Sequence, residues 1–171
     1  MHPASTEKAR YKTRIQMSKN IDDWLNAYNV CHQHPQNKLI HYICVPAIAW
    51  SALALLWLVA IPYTPLTGAH VLLGFSFGFY LHLSLRLTLA MILPAVLMMG
   101  SIVAHQQFLP IPLWVSATGV FIVAWIFQFI GHHIEGKKPS FFEDLQYLLI
   151  GPLWIVAFVF KKWNVPYQDA K

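Results

Sequence analysis

Residues 39–61, LIHYICVPAIAWSALALLWLVAI, hold 23 positions without one Asp, Glu, Lys or Arg. About 20 apolar residues cross a hydrocarbon core of ~30 Å, so this run is long enough to span with some tilt. The charge pattern around it is as uneven. Between Trp24 and Ile134 there is no acidic residue, and Lys38 and Arg86 are the only Lys or Arg; the other ten lie in the N-terminal segment, around Lys137 or near the C-terminus. Charge is excluded from a slab and collected at its edges.

Composition agrees. Of 171 residues 57% are hydrophobic, 15% aromatic and 11% charged, against roughly 25% charged in a soluble domain. This excludes a disordered chain and an ordinary cytosolic globule. The net charge of +5 is an edge effect, and no nucleic-acid partner is expected. The expectation is an all-α, multi-pass transmembrane helical bundle, one domain over 1–171 with a basic, flexible tail at 1–19. No secretory signal is read: the first 38 residues carry six basic residues and no apolar core before a cleavage site. Cys31 and Cys44 read as small buried hydrophobes.

Ile21, Trp24, Leu25, Tyr28 and Cys31 share one helical face, with Asn20 as cap and Asp22 and Asp23 in the first turn. They predict an amphipathic helix at 20–34, ended or kinked by Pro35. Four spans are expected at 39–61, 66–83, 87–104 and 113–133. Turns at Pro62–Pro65 and Pro110–Pro112, and a tight connection at Arg86, separate them. Ser140 and Glu143 form a capping box for a last apolar helix, broken by Gly151-Pro152 and read as re-entrant, interfacial or a fifth span. Basic residues favour the cytoplasmic side, which puts the N-terminus, Arg86 and Lys137 inside and both proline turns outside.

That topology gathers His32, His34, His41, His82, His132 and His133 at the cytoplasmic ends of three elements, and sends His70 and His105 towards the other side. Neutral imidazole is a common ligand for transition metals, and several nitrogens with few carboxylates suit Fe(II), Zn or Cu. His32, His41, His82, His132 and His133 are the candidate ligands; His34, beside Pro35, is the least suited. Asn37 and His41 share a helix face, as do Gln128, His132 and Glu135. Asn37 and Gln128 are therefore expected behind the ligands, with Glu135 either there or as a ligand.

Two segments carry a resemblance. One is His32-Gln-His-Pro-Gln-Asn37 continuing to His41 and Pro46. The other is Gln128-Phe-Ile-Gly131-His132-His133-Ile-Glu135 continuing to Pro139, Asp144-Leu and Gly151-Pro152. Together they resemble the small membrane family typified by the yeast 2-hydroxy fatty acid dioxygenase of fatty-acid α-oxidation, over roughly residues 20–160. The resemblance implies a multi-pass protein needing Fe(II) and O2. It implies cleavage of a long-chain 2-hydroxy fatty acid between C1 and C2. It carries functional weight onto His41 and His132, with Glu135 as a polar neighbour. A 2-hydroxy acid can chelate iron through hydroxyl and carboxylate. Arg86, Lys38, Lys137 and Lys138 stand at the same face, and one of them, Arg86 in the first place, could pair the carboxylate. Phe75, Phe77, Phe79 and Trp125 could line an acyl conduit. The implied location is the inner membrane of a bacterium or the endoplasmic reticulum of a eukaryote, with the site near the cytoplasmic face; a homo-oligomer is left open. Two other classes stay in view: a haem-binding electron carrier with His82 opposite His132, and a non-enzymatic lipid-binding or scaffold protein.

Overall fold

The computed structural model describes residues 20–30, 32–136 and 149–167. Among them the chain forms six helices and no strand: α1 Ile21–Val30, α2 Pro35–Trp57, α3 Gly68–Leu83, α4 Leu85–Phe108, α5 Leu113–Ile134 and α6 Ile150–Lys162. The all-helical expectation stands. Three helices, α2, α4 and α5, are long and apolar enough to cross a bilayer. The apolar α3 has 16 residues, about 24 Å of helix, and is shorter than the others.

Several boundaries differ from the sequence reading, each for a local reason. Pro35 does not sit at the end of α1, which stops at Val30; it opens α2, where its missing N–H costs nothing. His34 caps that helix, its ring accepting from the Gln36 N–H at 3.3 Å. Asn20 caps α1 as expected: its side chain accepts from the Asp23 N–H at 2.9 Å, and the Asp23 carboxylate accepts from the Asn20 N–H at 3.1 Å. Arg86 is not in the third connection. That connection is the single residue Ser84, whose hydroxyl oxygen accepts from the Leu87 N–H at 3.2 Å, and Arg86 lies in the first turn of α4. Gly151-Pro152 lies in the first turn of α6. The capping box at Ser140 and Glu143, the tail at 1–19, Cys31, Lys137 and Lys138 lie outside the described residues.

Helix α2 is the hub. It packs along α5 most extensively, and also against α3, α4 and α6. Cys44 and Ile48 of α2 meet Ala124 of α5 in one apolar cluster. Leu53 and Ala54 meet Ala69, Ile102 and Ala117 in a second, near the far end of α2. A third cluster joins Leu25 and Tyr28 of α1 to Tyr80, Leu87, Leu153 and Trp154. The opposite faces of α4 and α5 leave Leu93, Val96, Leu97, Val123 and Ile126 exposed, the pattern of a bundle solvated by lipid.

The segment after α6 returns across the α3–α4 junction. Ser84 donates to the Tyr167 carbonyl at 2.6 Å, Arg86 to the Pro166 carbonyl at 3.0 Å, and the Tyr167 hydroxyl to Asp22 at 2.6 Å. At the far end of α2, His70 accepts from the Thr67 N–H at 3.1 Å, and buried His105 shares a 2.8 Å hydrogen bond with Ser116. Both stand beside tryptophans late in α2, Trp57 and Trp50, well away from His41.

A candidate metal centre between three elements

His32 comes from the connection between α1 and α2, His41 from the second turn of α2, and His132 from the last turn of α5. All three are buried, at 3%, 2% and 6% exposure. One nitrogen of each lies within 4.8 Å of the others, which makes the three a group able to hold a metal ion. The ring centroids are 4.1 Å apart for His32–His41, 5.0 Å for His41–His132 and 5.5 Å for His32–His132.

Backbone geometry orients two of the rings. His32 Nδ1 is 2.7 Å from the Tyr28 carbonyl oxygen, and His41 Nδ1 is 2.9 Å from that of Asn37, each four residues earlier. A carbonyl only accepts, so each Nδ1 carries the proton and each Nε2 keeps its lone pair. That is the tautomer a metal needs. Tyr28 does more than orient: its ring stacks on His32 with centroids 4.2 Å apart. Trp154 of α6 stands 5.9 Å from His32 and 5.2 Å from Tyr28.

Glu135 is a clamp. Its carboxylate accepts from the backbone N–H groups of Gln33 at 2.7 Å and His34 at 2.9 Å, and from the Asn37 side-chain amide at 3.0 Å. Burial alone would raise its pKa. The His34 and Gln33 N–H groups and the Asn37 amide outweigh that, and hold the carboxyl below its ordinary value. The carboxylate also sits at the N-terminus of α2, where the helix dipole favours negative charge. The end of α5 is thereby fastened to the turn that carries His32 and to the start of the helix that carries His41. Gly136, at φ +72°, ends α5 just beyond it.

Asn37 is fully buried and lies directly on Gly131. A Cβ at Gly131 would clash with the Asn37 side-chain oxygen, so glycine is what lets α2 and α5 approach at the level of the imidazoles. Gln128, one turn before His132, is also buried, and its side-chain oxygen has no hydrogen-bond partner among the described residues.

The structure thus brings together three of the five candidate ligands. His82 is exposed: the inward face of α3 is set by Ala69, Ser76 and Tyr80, and a residue two positions beyond Tyr80 points away. His133 is exposed as well, a hundred degrees round α5 from His132. The haem arrangement, which needed His82 facing His132, has no counterpart here. Arg86 is exposed and engaged with the Pro166 carbonyl. The sequence reading missed Tyr28 and Trp154. Tyr28 was visible in principle, as the residue four before His32 on the apolar face of α1; Trp154 carried no such signal.

The model for the 2-hydroxy-palmitic acid dioxygenase Mpo1-like family matches residues 18–163. The chain belongs to this family. It is 32% identical over 145 residues to the 2-hydroxy-palmitic acid dioxygenase MPO1 of Saccharomyces cerevisiae, covering 83% of this chain and 81% of the yeast protein. No solved structure matches. The match takes in every element described from α1 to α6, so the resemblance read from the two histidine segments extends to the helices that position them.

Proposed function

We propose that this member of the Mpo1-like family is a membrane-embedded, Fe(II)-dependent dioxygenase that shortens long-chain 2-hydroxy fatty acids by one carbon. The observation that carries the reading is the meeting of three buried imidazoles, from three separate elements, inside a chain the family model matches almost throughout. The donor set fits the metal. Three neutral imidazole nitrogens would suit a transition metal such as Fe(II), and the set is too nitrogen-rich for Mg or Ca. His32, His41 and His132 would hold the iron, and when bound it would supply the activation of O2.

The overall reaction balances without a separate reductant. A 2-hydroxy acid and one molecule of O2 give the shorter acid, CO2 and water. The C1–C2 bond breaks, C2 rises from alcohol to carboxyl level, and O2 accepts all the electrons released. The chain's own part is binding, orientation and exclusion of water. The Tyr28 and Asn37 carbonyls fix two imidazole tautomers. Glu135 and Asn37 hold the three elements in register. The unpartnered oxygen of Gln128, one turn from His132, can accept the substrate's 2-hydroxyl proton as a hydrogen bond. Tyr28 and Trp154 wall the site with apolar rings.

The distribution of basic residues supports an orientation with the N-terminus and the triad towards the cytoplasmic face of the bilayer and the proline turns opposite. The test is direct. Protein loaded with iron and supplied with 2-hydroxypalmitate should consume O2 and release the acid one carbon shorter, identified by mass spectrometry. The metal content, counted per chain, should be close to one iron. Absence of O2 consumption by fully loaded protein would refute the reading.

A further inference from the structure

Lys38 directly precedes the uncharged run 39–61, and Lys161 directly follows the apolar run 150–160 of α6. The two helices run in opposite directions: Pro152 of α6 shares one cavity with Pro46 and Leu53 of α2, whereas Ala157 and Lys161 share another with Lys38 and Tyr42. Both lysines therefore stand at one level, where an apolar helix leaves the hydrocarbon and lipid phosphates begin. The cavity they line is about 170 Å3, and Asn26 and Asn29 of α1 close its third side. No carboxylate is among its described lining residues.

The walls of this cavity are held in place. Tyr42 and Trp154 stack with centroids 5.2 Å apart, and Lys161 sits over the Tyr167 ring at 5.5 Å, itself tied through its carbonyl to Ser84 and through its hydroxyl to Asp22. Two ammonium groups without a carboxylate in a concave lining leave positive charge for an anion to neutralise. Leu39 and Ile43, each within a turn of Lys38 or Tyr42, and Phe158 of the lining itself are exposed apolar side chains. No histidine of the triad lines the cavity. The separate cavity of about 200 Å3 lies across the α2–α6 crossing, where Gly151 packs on Val45, and belongs to a different face of α6. Of the expected acyl-conduit residues, Phe77 alone lines that one; Phe75 is exposed, Phe79 packs on Trp24, and Trp125 lies on α5 between Phe121 and Phe129.

We propose that the cavity between Lys38 and Lys161 holds the headgroup of one anionic membrane phospholipid, its phosphate on the two lysines and its acyl chains over Leu39, Ile43 and Phe158. Basic pockets between membrane helices take anionic headgroups by this charge complementarity. Membrane level and the exposed apolar side chains beside the lysines select a lipid over a soluble phosphate. Net charge selects an anionic lipid, because a choline headgroup brings its own cation against two ammonium groups. The lipid joins α1, which leads into His32, to α2 and α6, so it acts as a structural tie and is independent of the reaction proposed above.

Native mass spectrometry of the full chain tests this, with the protein in detergent containing equal amounts of phosphatidylglycerol and phosphatidylcholine. The parent protein should retain one phosphatidylglycerol per chain in preference to phosphatidylcholine. Lys38→Gln/Lys161→Gln should cut that retention by at least about tenfold, since each lysine near a membrane surface contributes to anionic-lipid attraction. Lys38→Arg/Lys161→Arg should keep it, which separates lost charge from lost fold. Lys162→Gln, the neighbouring lysine outside the lining, should leave it unchanged. Equal retention of the two lipids by the parent protein, normal retention by the double Gln variant, or an equal loss in Lys162→Gln would overturn the proposal. So would displacement of phosphatidylglycerol from the parent protein by millimolar inorganic phosphate, which would make the occupant a free anion, or by palmitate, which would make it a fatty acid.

Discussion

Replacing Gly131 by alanine should destabilise this protein, although in an unobstructed helix the same change stabilises. Alanine in a helix interior is worth about 1 kcal/mol over glycine. Here the new Cβ would clash with the Asn37 side-chain oxygen and lie 3.4 Å from Ile40 Cγ2. Asn37 has no exposed surface and its amide is tied to Glu135 at 3.0 Å, so it cannot swing aside freely. Overpacking of this kind costs about 1–3 kcal/mol. Loss of a hydrogen bond to a charged group adds about 1.5–3 kcal/mol. Set against the propensity gain, the net loss is about 3 kcal/mol. Thermal unfolding of the detergent-solubilised protein measures it, and metal content should fall too, because Asn37 also orients His41. The control is an Asn37→Ala background, where the obstruction is gone and Gly131→Ala should be neutral or stabilising. A rise in Tm for Gly131→Ala in the parent protein, or equal losses in both backgrounds, would refute the argument.

Alanine at His32, His41 or His132 should each abolish tight metal binding, while His82→Ala and His133→Ala leave metal content unchanged; elemental analysis of matched preparations decides. Glu135→Gln should lower stability near neutral pH. Because the folded carboxyl is held below its ordinary value, its contribution is present above the unfolded pKa and is lost as pH falls through the lower folded one, so parent and variant unfolding curves should converge in acid. Tyr167 shows the opposite sign. Burial and then the Asp22 hydrogen bond push its hydroxyl up to about 12, so its contribution is complete below pH ~10 and disappears as pH rises towards that value. Tyr167→Phe should cost about 1 kcal/mol at neutral pH and show no such alkaline loss, read from unfolding as a function of pH.

The class of molecule is legible in composition and charge pattern alone. Charge confined to the edges of long apolar runs leaves a helical bundle as the way to satisfy the backbone, and α2, α4 and α5 fall where those runs lie. The sequence also placed Asn37, His41, Gln128, His132 and Glu135 on shared helix faces, because a spacing of four residues is a local property of any helix. Tertiary structure decided which imidazoles meet. Membrane level is readable from topology, but rotation of each helix about its own axis is not, since in lipid both faces of an apolar helix look alike in sequence. That rotation turned His132 inward and His133 outward, and set Tyr80 rather than His82 against the core. It made Glu135 a clamp, because its three N–H partners come from Gln33, His34 and Asn37, about a hundred residues earlier in the chain. Trp154 reached the site only when α6 packed against α1 and α2, through contacts that no local spacing encodes.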